Sequence, residues 1–113
     1  MCLFVIGTRS VTYFSGVAVI ADCHQIISQH EPYELICEDT NLGYTRTDNL
    51  VIIQILQQGR ELATKQKTYA ALAKELEAHC SLNGHDLIIT SSGNTKEDWS
   101  FGDGELQFAT GRL

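Results

Sequence analysis

Four cysteines and four histidines are the residues of this 113-residue chain best suited to nucleophilic or metal chemistry. Cys2 follows the first methionine. Removal of Met1 would expose a terminal thiol and amine, the nucleophile and base of a cysteine-dependent hydrolase or transferase. No Gly-rich oxyanion loop accompanies it, and a small residue packed in a strand is the plainer reading. Cys23-His24 and His79-Cys80 form mirrored pairs, with His30, Cys37 and His85 elsewhere. Zinc needs four ligands at tetrahedral angles, usually as repeated pairs two to four residues apart, and that spacing is missing. Neighbours on a strand point to opposite faces, so Cys23 and His24 are poorly placed to share one ion. His79 suits a helix C-terminus, where the dipole favours a cation. Cys80 with His85 lacks any supporting signature. Neither a metal nor another cofactor is expected.

Thr90, Ser91, Ser92, Gly93 and Asn94 could cradle an anion with backbone amides. A phosphate site wants a helix next, and Glu97-Asp98 follows instead. The stretch reads as a turn. Thr68 to Ala73 could open a helix-turn-helix, but no basic recognition helix follows.

Charge is the more distinctive property. The net charge is −6. Residues 31–39 hold Glu31, Glu34, Glu38 and Asp39, and residues 97–105 hold Glu97, Asp98, Asp103 and Glu105, with no Lys or Arg in either stretch. Together they carry −8, so the remainder carries +2. That balance disfavours direct binding of nucleic acid and suits a partner with a basic surface. Trp99 and Phe101 sit among the second group of acids. Aromatics anchor interfaces and carboxylates steer basic partners, although an inward strand face explains the two rings as well.

The elements that must position these residues read as strand, helix, strand. Cys2 to Gly7 is a short apolar strand. Residues 11–21, 25–28 and 33–37 read as further strands, with Pro32 interrupting pairing. Such closely spaced strands imply an antiparallel meander. Over 47–84, Ile52, Ile55, Leu62, Tyr69, Ala73 and Leu76 recur on one helical stripe, from a cap at Thr47 or Asp48 to a stop at Asn83-Gly84. One helix that long would span about 50 Å. A break in 64–68 is therefore expected, giving helices over 48–63 and 68–81; the rival is one projecting helix that dimerises. Strands over 86–91, 98–101 and 105–110 close the chain. The expected fold is a single α+β domain, residues 1–113: an antiparallel β-sheet, made of an N-terminal meander plus C-terminal hairpin strands, with two central helices packed on one face.

Gly43, Tyr44, Thr45, Arg46, Thr47 and Asn49 resemble the entry to the first helix of bacterial ribonuclease H. That resemblance implies a metal-binding Asp on the first strand and a Glu on the helix. Here the strand offers Gly7, Thr8 and Arg9, and the helix position is Ile53, which cannot ligate a hard cation. The nuclease chemistry is excluded on those residues.

What remains is a small acidic cytoplasmic binding protein without catalysis. It would inhibit a partner by docking on its basic site as a nucleic-acid mimic does, in the manner of immunity or phage counter-defence proteins. Glu97, Asp98, Trp99, Asp103, Glu105, Glu34, Glu38 and Asp39 would make the contact. The alternatives are the Cys2 hydrolase or transferase, and a homodimeric adaptor joined through 48–81 with Ile52, Leu62 and Tyr69 at the interface. No leader or membrane span is evident.

Overall fold

The computed structural model describes residues 2–7 and 24–113. The strand expected over 11–21 lies outside them. Four strands form one sheet: β1 (Cys2–Gly7), β2 (His24–Gln29), β3 (Val51–Gln58) and β4 (Leu87–Asn94), in the order β2-β1-β3-β4. β1 pairs parallel with β2 and antiparallel with β3, and β3 pairs parallel with β4. The sheet is mixed, which corrects the expected antiparallel meander. Sequence proximity suggested hairpins, but parallel neighbours require a crossover connection.

One main helix, α1 (Leu62–Cys80), links β3 to β4 as a β-α-β unit. The two-helix expectation fails at both ends. Residues 51–58 are strand, because Val51, Ile53 and Ile55 alternate onto one buried face at 4%, 0% and 1% exposure. This β-branched run fits a pleated sheet better than a helix, and short apolar runs satisfy both periods. The ribonuclease-like segment accordingly leads into a strand, and a helical interface over 48–81 is not formed. The polar run 64–68, expected to break, continues as helix, with the Thr68 hydroxyl donating to the Thr64 carbonyl at 2.9 Å.

Leu72 and Leu76, one turn apart on α1, pack with Val5, Val51, Ile53, Ile55 and Leu82 to make the core. The Tyr69 and Ser91 hydroxyls hydrogen-bond at 2.6 Å, tying the helix to β4. The helix ends at Cys80, close to the expected 81, and its left-handed cap is Ser81 (φ 54°) rather than the Asn83-Gly84 pair: the Leu82 amide donates back to the Leu76 carbonyl. The expected strand at 33–37 is irregular chain. The expected final strand is instead the short helix α2 (Gln107–Thr110).

The registers fix what meets at each edge of the sheet. Cys2 lies opposite both His24 and Leu56, and Gln58 lies opposite Asn94. The starts of β1 and β2 therefore share one edge with the ends of β3 and β4. Gly7, Gln29, Val51 and Leu87 mark the other.

Candidate active site

Beyond Asn94 the chain makes a tight turn over Lys96–Asp98. The Asp98 carboxylate accepts from the Thr95 amide at 2.7 Å and from the Thr95 hydroxyl at 3.0 Å. The amide first, then the hydroxyl, holds the Asp98 pKa below its ordinary value, since both favour the charged form. The turn returns Trp99 over the end of β4, where its indole N–H donates to Asn94 Oδ1 at 2.7 Å. The Gly59 amide donates to the Asn94 carbonyl at 3.2 Å, extending the β3–β4 ladder to the residue before Arg60.

Trp99 begins an aromatic cluster. Phe101 stacks on Trp99 with centroids 5.5 Å apart and on His24 at 5.8 Å, and meets Phe108 edge-on at 5.9 Å. Gln107, only 8% exposed, holds this arrangement: its Oε1 accepts from the Phe101 amide and its Nε2 donates to the Gly102 carbonyl, each at 3.0 Å. Phe101 remains 38% exposed. Two cations belong to this edge. Lys96 Nζ lies 5.5 Å from the Phe108 centroid. Exposed Arg60 bonds only the backbone carbonyls of Gln58 and Gly59, at 3.3 and 3.2 Å. Among the described residues no carboxylate pairs with either cation. A guanidinium at the same sheet edge as partly open rings suits a small, flat carboxylate: the fork can bind the anion and the rings can cover the rest.

The opposite edge differs. Asp86, 2% exposed, accepts from the Thr47 amide at 2.6 Å and the Thr47 hydroxyl at 2.7 Å. Arg46 donates to the His85 carbonyl and lies over the Tyr44 ring, 5.3 Å from its centroid. His85 Nδ1 accepts from the Thr45 amide at 3.1 Å. These groups bind one another.

The acids singled out from sequence do not form one row. Residues 31–39 follow β2 away from one edge, and residues 97–105 follow β4 at the other. Several are engaged locally. Glu34 accepts from the Glu31 amide, Glu105 pairs with Arg112 at 2.7 Å, and Asp39 accepts from the Leu42 and Gly43 amides. Desolvation raises the Asp39 pKa, but the amides of Gly43, Leu42 and Tyr44 and the charge of Arg46 together carry it below normal. Glu38, Glu97 and Asp103 are exposed. Trp99 and Phe101 do come together, not as the inward face of a strand but as a partly open wall. Sequence reasoning passed over Arg60, Gln107 and Phe108 as site residues, and read Asn94 as part of a turn, where the structure has the end of β4. The available signal was Gly59-Arg60 between a β-branched run and a helix, where parallel strands open at their carboxyl ends.

Residues 22–102 match a protein family described as tautomerase enzyme. A probable tautomerase, YrdN of Bacillus subtilis, is 45% identical over 92 residues, covering 81% of this chain and 71% of that protein. A crystal structure of malonate semialdehyde decarboxylase inhibited by 3-bromopropiolate superimposes with a TM-score of 0.88 at 32% identity, covering 100% of this chain and 98% of that one. A fused 4-OT solved as a symmetric trimer shares the fold, with a TM-score of 0.72 at 18% identity over 99% of this chain and 100% of that one. These matches overturn the inhibitor reading drawn from charge, because the relatives are enzymes and none is an immunity or counter-defence protein. They give the Cys2 hydrolase or transferase alternative no support either, the matched family being described as tautomerase enzyme. No helix of the described residues is long and apolar enough to cross a membrane.

Proposed function

The chain belongs to the tautomerase family, and from that premise we propose that it catalyses enolisation-type chemistry on a small carboxylate-bearing carbonyl compound. The site is the edge that carries Arg60, Asn94, Trp99, Phe101 and Phe108. The observation that carries this reading is the guanidinium of Arg60, without a carboxylate partner among the described residues, at the sheet edge from which the aromatic wall also rises. Malonate semialdehyde and 3-bromopropiolate, named with the structural relative, are both three-carbon carboxylates. A 3-oxo acid is therefore the first substrate class to test.

The chemistry sets the roles. A base takes the proton from the carbon beside the carbonyl. The C–H electron pair becomes a C=C bond and the carbonyl π pair moves to oxygen, giving an enolate. Loss of CO2 from a 3-oxo acid reaches the same electron distribution by breaking the C–CO2 bond instead. Arg60 anchors the substrate carboxylate. The rings exclude water, which strengthens that charge interaction. We assign the proton acceptor to the start of β2 at this edge, where the His24 imidazole stacks on Phe101.

Proton-to-deuteron exchange beside the carbonyl, and CO2 release, are measured by NMR on 2- and 3-oxo acids. Wild-type protein should accelerate one of them. Arg60→Ala should lower kcat/KM by about ten- to a hundredfold, the value of a charged hydrogen-bonded contact. Folded protein that accelerates neither process for any such acid would end this reading.

We also propose that copies of the chain associate. The fused 4-OT is a trimer. Among the described strands β2 lies at one edge and exposes 54% of Ile26 and 46% of Ile27, and the segment after it exposes 77% of Tyr33 and 75% of Ile36. Sedimentation should return a multiple of 12.5 kDa. A monomer throughout the high micromolar range would exclude association.

A further inference from the structure

We infer that Asn94 is a positioning residue that ties Trp99 to the loop carrying Arg60; the inference rests on reading this edge as the active site. Asn94 receives two hydrogen bonds from different segments. Its backbone carbonyl takes the Gly59 amide, which holds the residue preceding Arg60. Its side-chain oxygen takes the indole N–H of Trp99, five residues downstream. The Thr95–Asp98 turn brings the indole back to that oxygen. One residue thus connects the anion-binding arm to the aromatic wall.

The choice of Asn over Asp follows from charge. An Asp carboxylate could accept from the indole equally well. It would also add a negative charge to the residue whose backbone holds the Gly59 amide, at the edge where Arg60 would receive the substrate carboxylate. A neutral acceptor orients Trp99 without neutralising Arg60.

Trp99 is the sole tryptophan of the chain, so intrinsic fluorescence reports on it without any substrate. The test compares quenching by neutral acrylamide with quenching by anionic iodide in wild type, Arg60→Ala, Asn94→Ala and Asn94→Asp. Asn94→Ala should shift Trp99 emission to the red, raise acrylamide quenching, and lower the iodide-to-acrylamide ratio towards that of Arg60→Ala. Asn94→Asp should keep the wild-type emission maximum and acrylamide quenching while lowering the iodide ratio. With an oxo-acid substrate, Asn94→Ala should lose about three- to tenfold in kcat/KM, chiefly through KM.

Wild-type emission and quenching in Asn94→Ala would overturn the inference. So would an Asn94→Asp protein that behaves like Asn94→Ala, because the retained acceptor would then have no effect. Should Asn94→Ala not fold, Asn94→Asp decides the matter by its emission maximum. If wild-type protein turns over no oxo acid, the proposed function fails, while the fluorescence comparison still decides whether Asn94 places Trp99.

Discussion

Where β3 and β4 begin, Asp86 takes two hydrogen bonds from Thr47, Arg46 donates to the His85 carbonyl, and the Thr45 amide donates to the His85 ring. Where they end, Arg60 reaches, among the described residues, only the carbonyls of Gln58 and Gly59, and Phe101 presents more than a third of its surface. The same two strands carry both groups of residues. Polar groups spent on one another stabilise the fold, and polar groups held out to solvent are available to a ligand. The first edge should therefore respond to mutation in stability and the second in substrate handling.

The sharpest way to break that comparison is Asp86→Ala. It strips the acceptor from the Thr47 amide and hydroxyl, at a cost of roughly 2–4 kcal/mol. Tm should fall by about 10–20 °C, read by circular dichroism, with kcat/KM of the folded protein within about twofold of wild type. A large loss of kcat/KM without loss of Tm would reverse the assignment of the edges. Arg60→Ala is the mirror experiment. The lost turnover described above should come with a Tm change of no more than about 3 °C, as for an exposed residue outside the core.

Phe101→Ala should be intermediate. The ring sits between Trp99 and His24 and against Phe108, and such pairs contribute about 0.5–1.5 kcal/mol each. KM should rise about three- to tenfold with a smaller change in kcat; an unchanged KM would remove the ring from the substrate wall. The mildest perturbation is acid. The Asp98 pKa is lowered on folding, so its stabilising effect is present above the unfolded value near ~3.9 and is lost as pH falls through the folded value. Trp99 emission should change below about pH 4 in wild type. Asp98→Asn should remove that transition. Asp39 is lowered as well, but it caps the loop at Leu42 and Gly43 and should leave Trp99 emission unchanged.

Much of this edge was readable in advance as residue types, and little of it as geometry. β1 and β2 were legible because they are short apolar runs bounded by polar residues. β3 was not: Ile52 and Ile55 fall on a helical stripe with Leu62 and Tyr69, and that spacing masked the alternation of Val51, Ile53 and Ile55. Misplacing β3 concealed Arg60, which reads as mid-helix in a helix and as an active-site position only at a strand end. Trp99 and Phe101 stood out, but their acidic neighbours suggested a basic partner. Asp98 is instead consumed in capping a turn, and Glu105 in pairing with Arg112. Charge counts cannot distinguish a displayed carboxylate from one that is building a loop. Asn94 was read as part of a turn, whereas it ends β4, and its role depends on two segments brought together only by the β-α-β unit.

That unit has a kinetic meaning. Six of the seven residues of the main core, Val51, Ile53, Ile55, Leu72, Leu76 and Leu82, come from one contiguous span, with Val5 the seventh. Contacts that close over short chain distances form with little entropic cost. We predict that this span is the last part of the molecule to open, with amide exchange slowest on β3, α1 and β4 and faster on β2. Equal protection of β2 would contradict this. Both arms of the proposed site, Arg60 and Asn94, would then be locked together before the outer strands arrive.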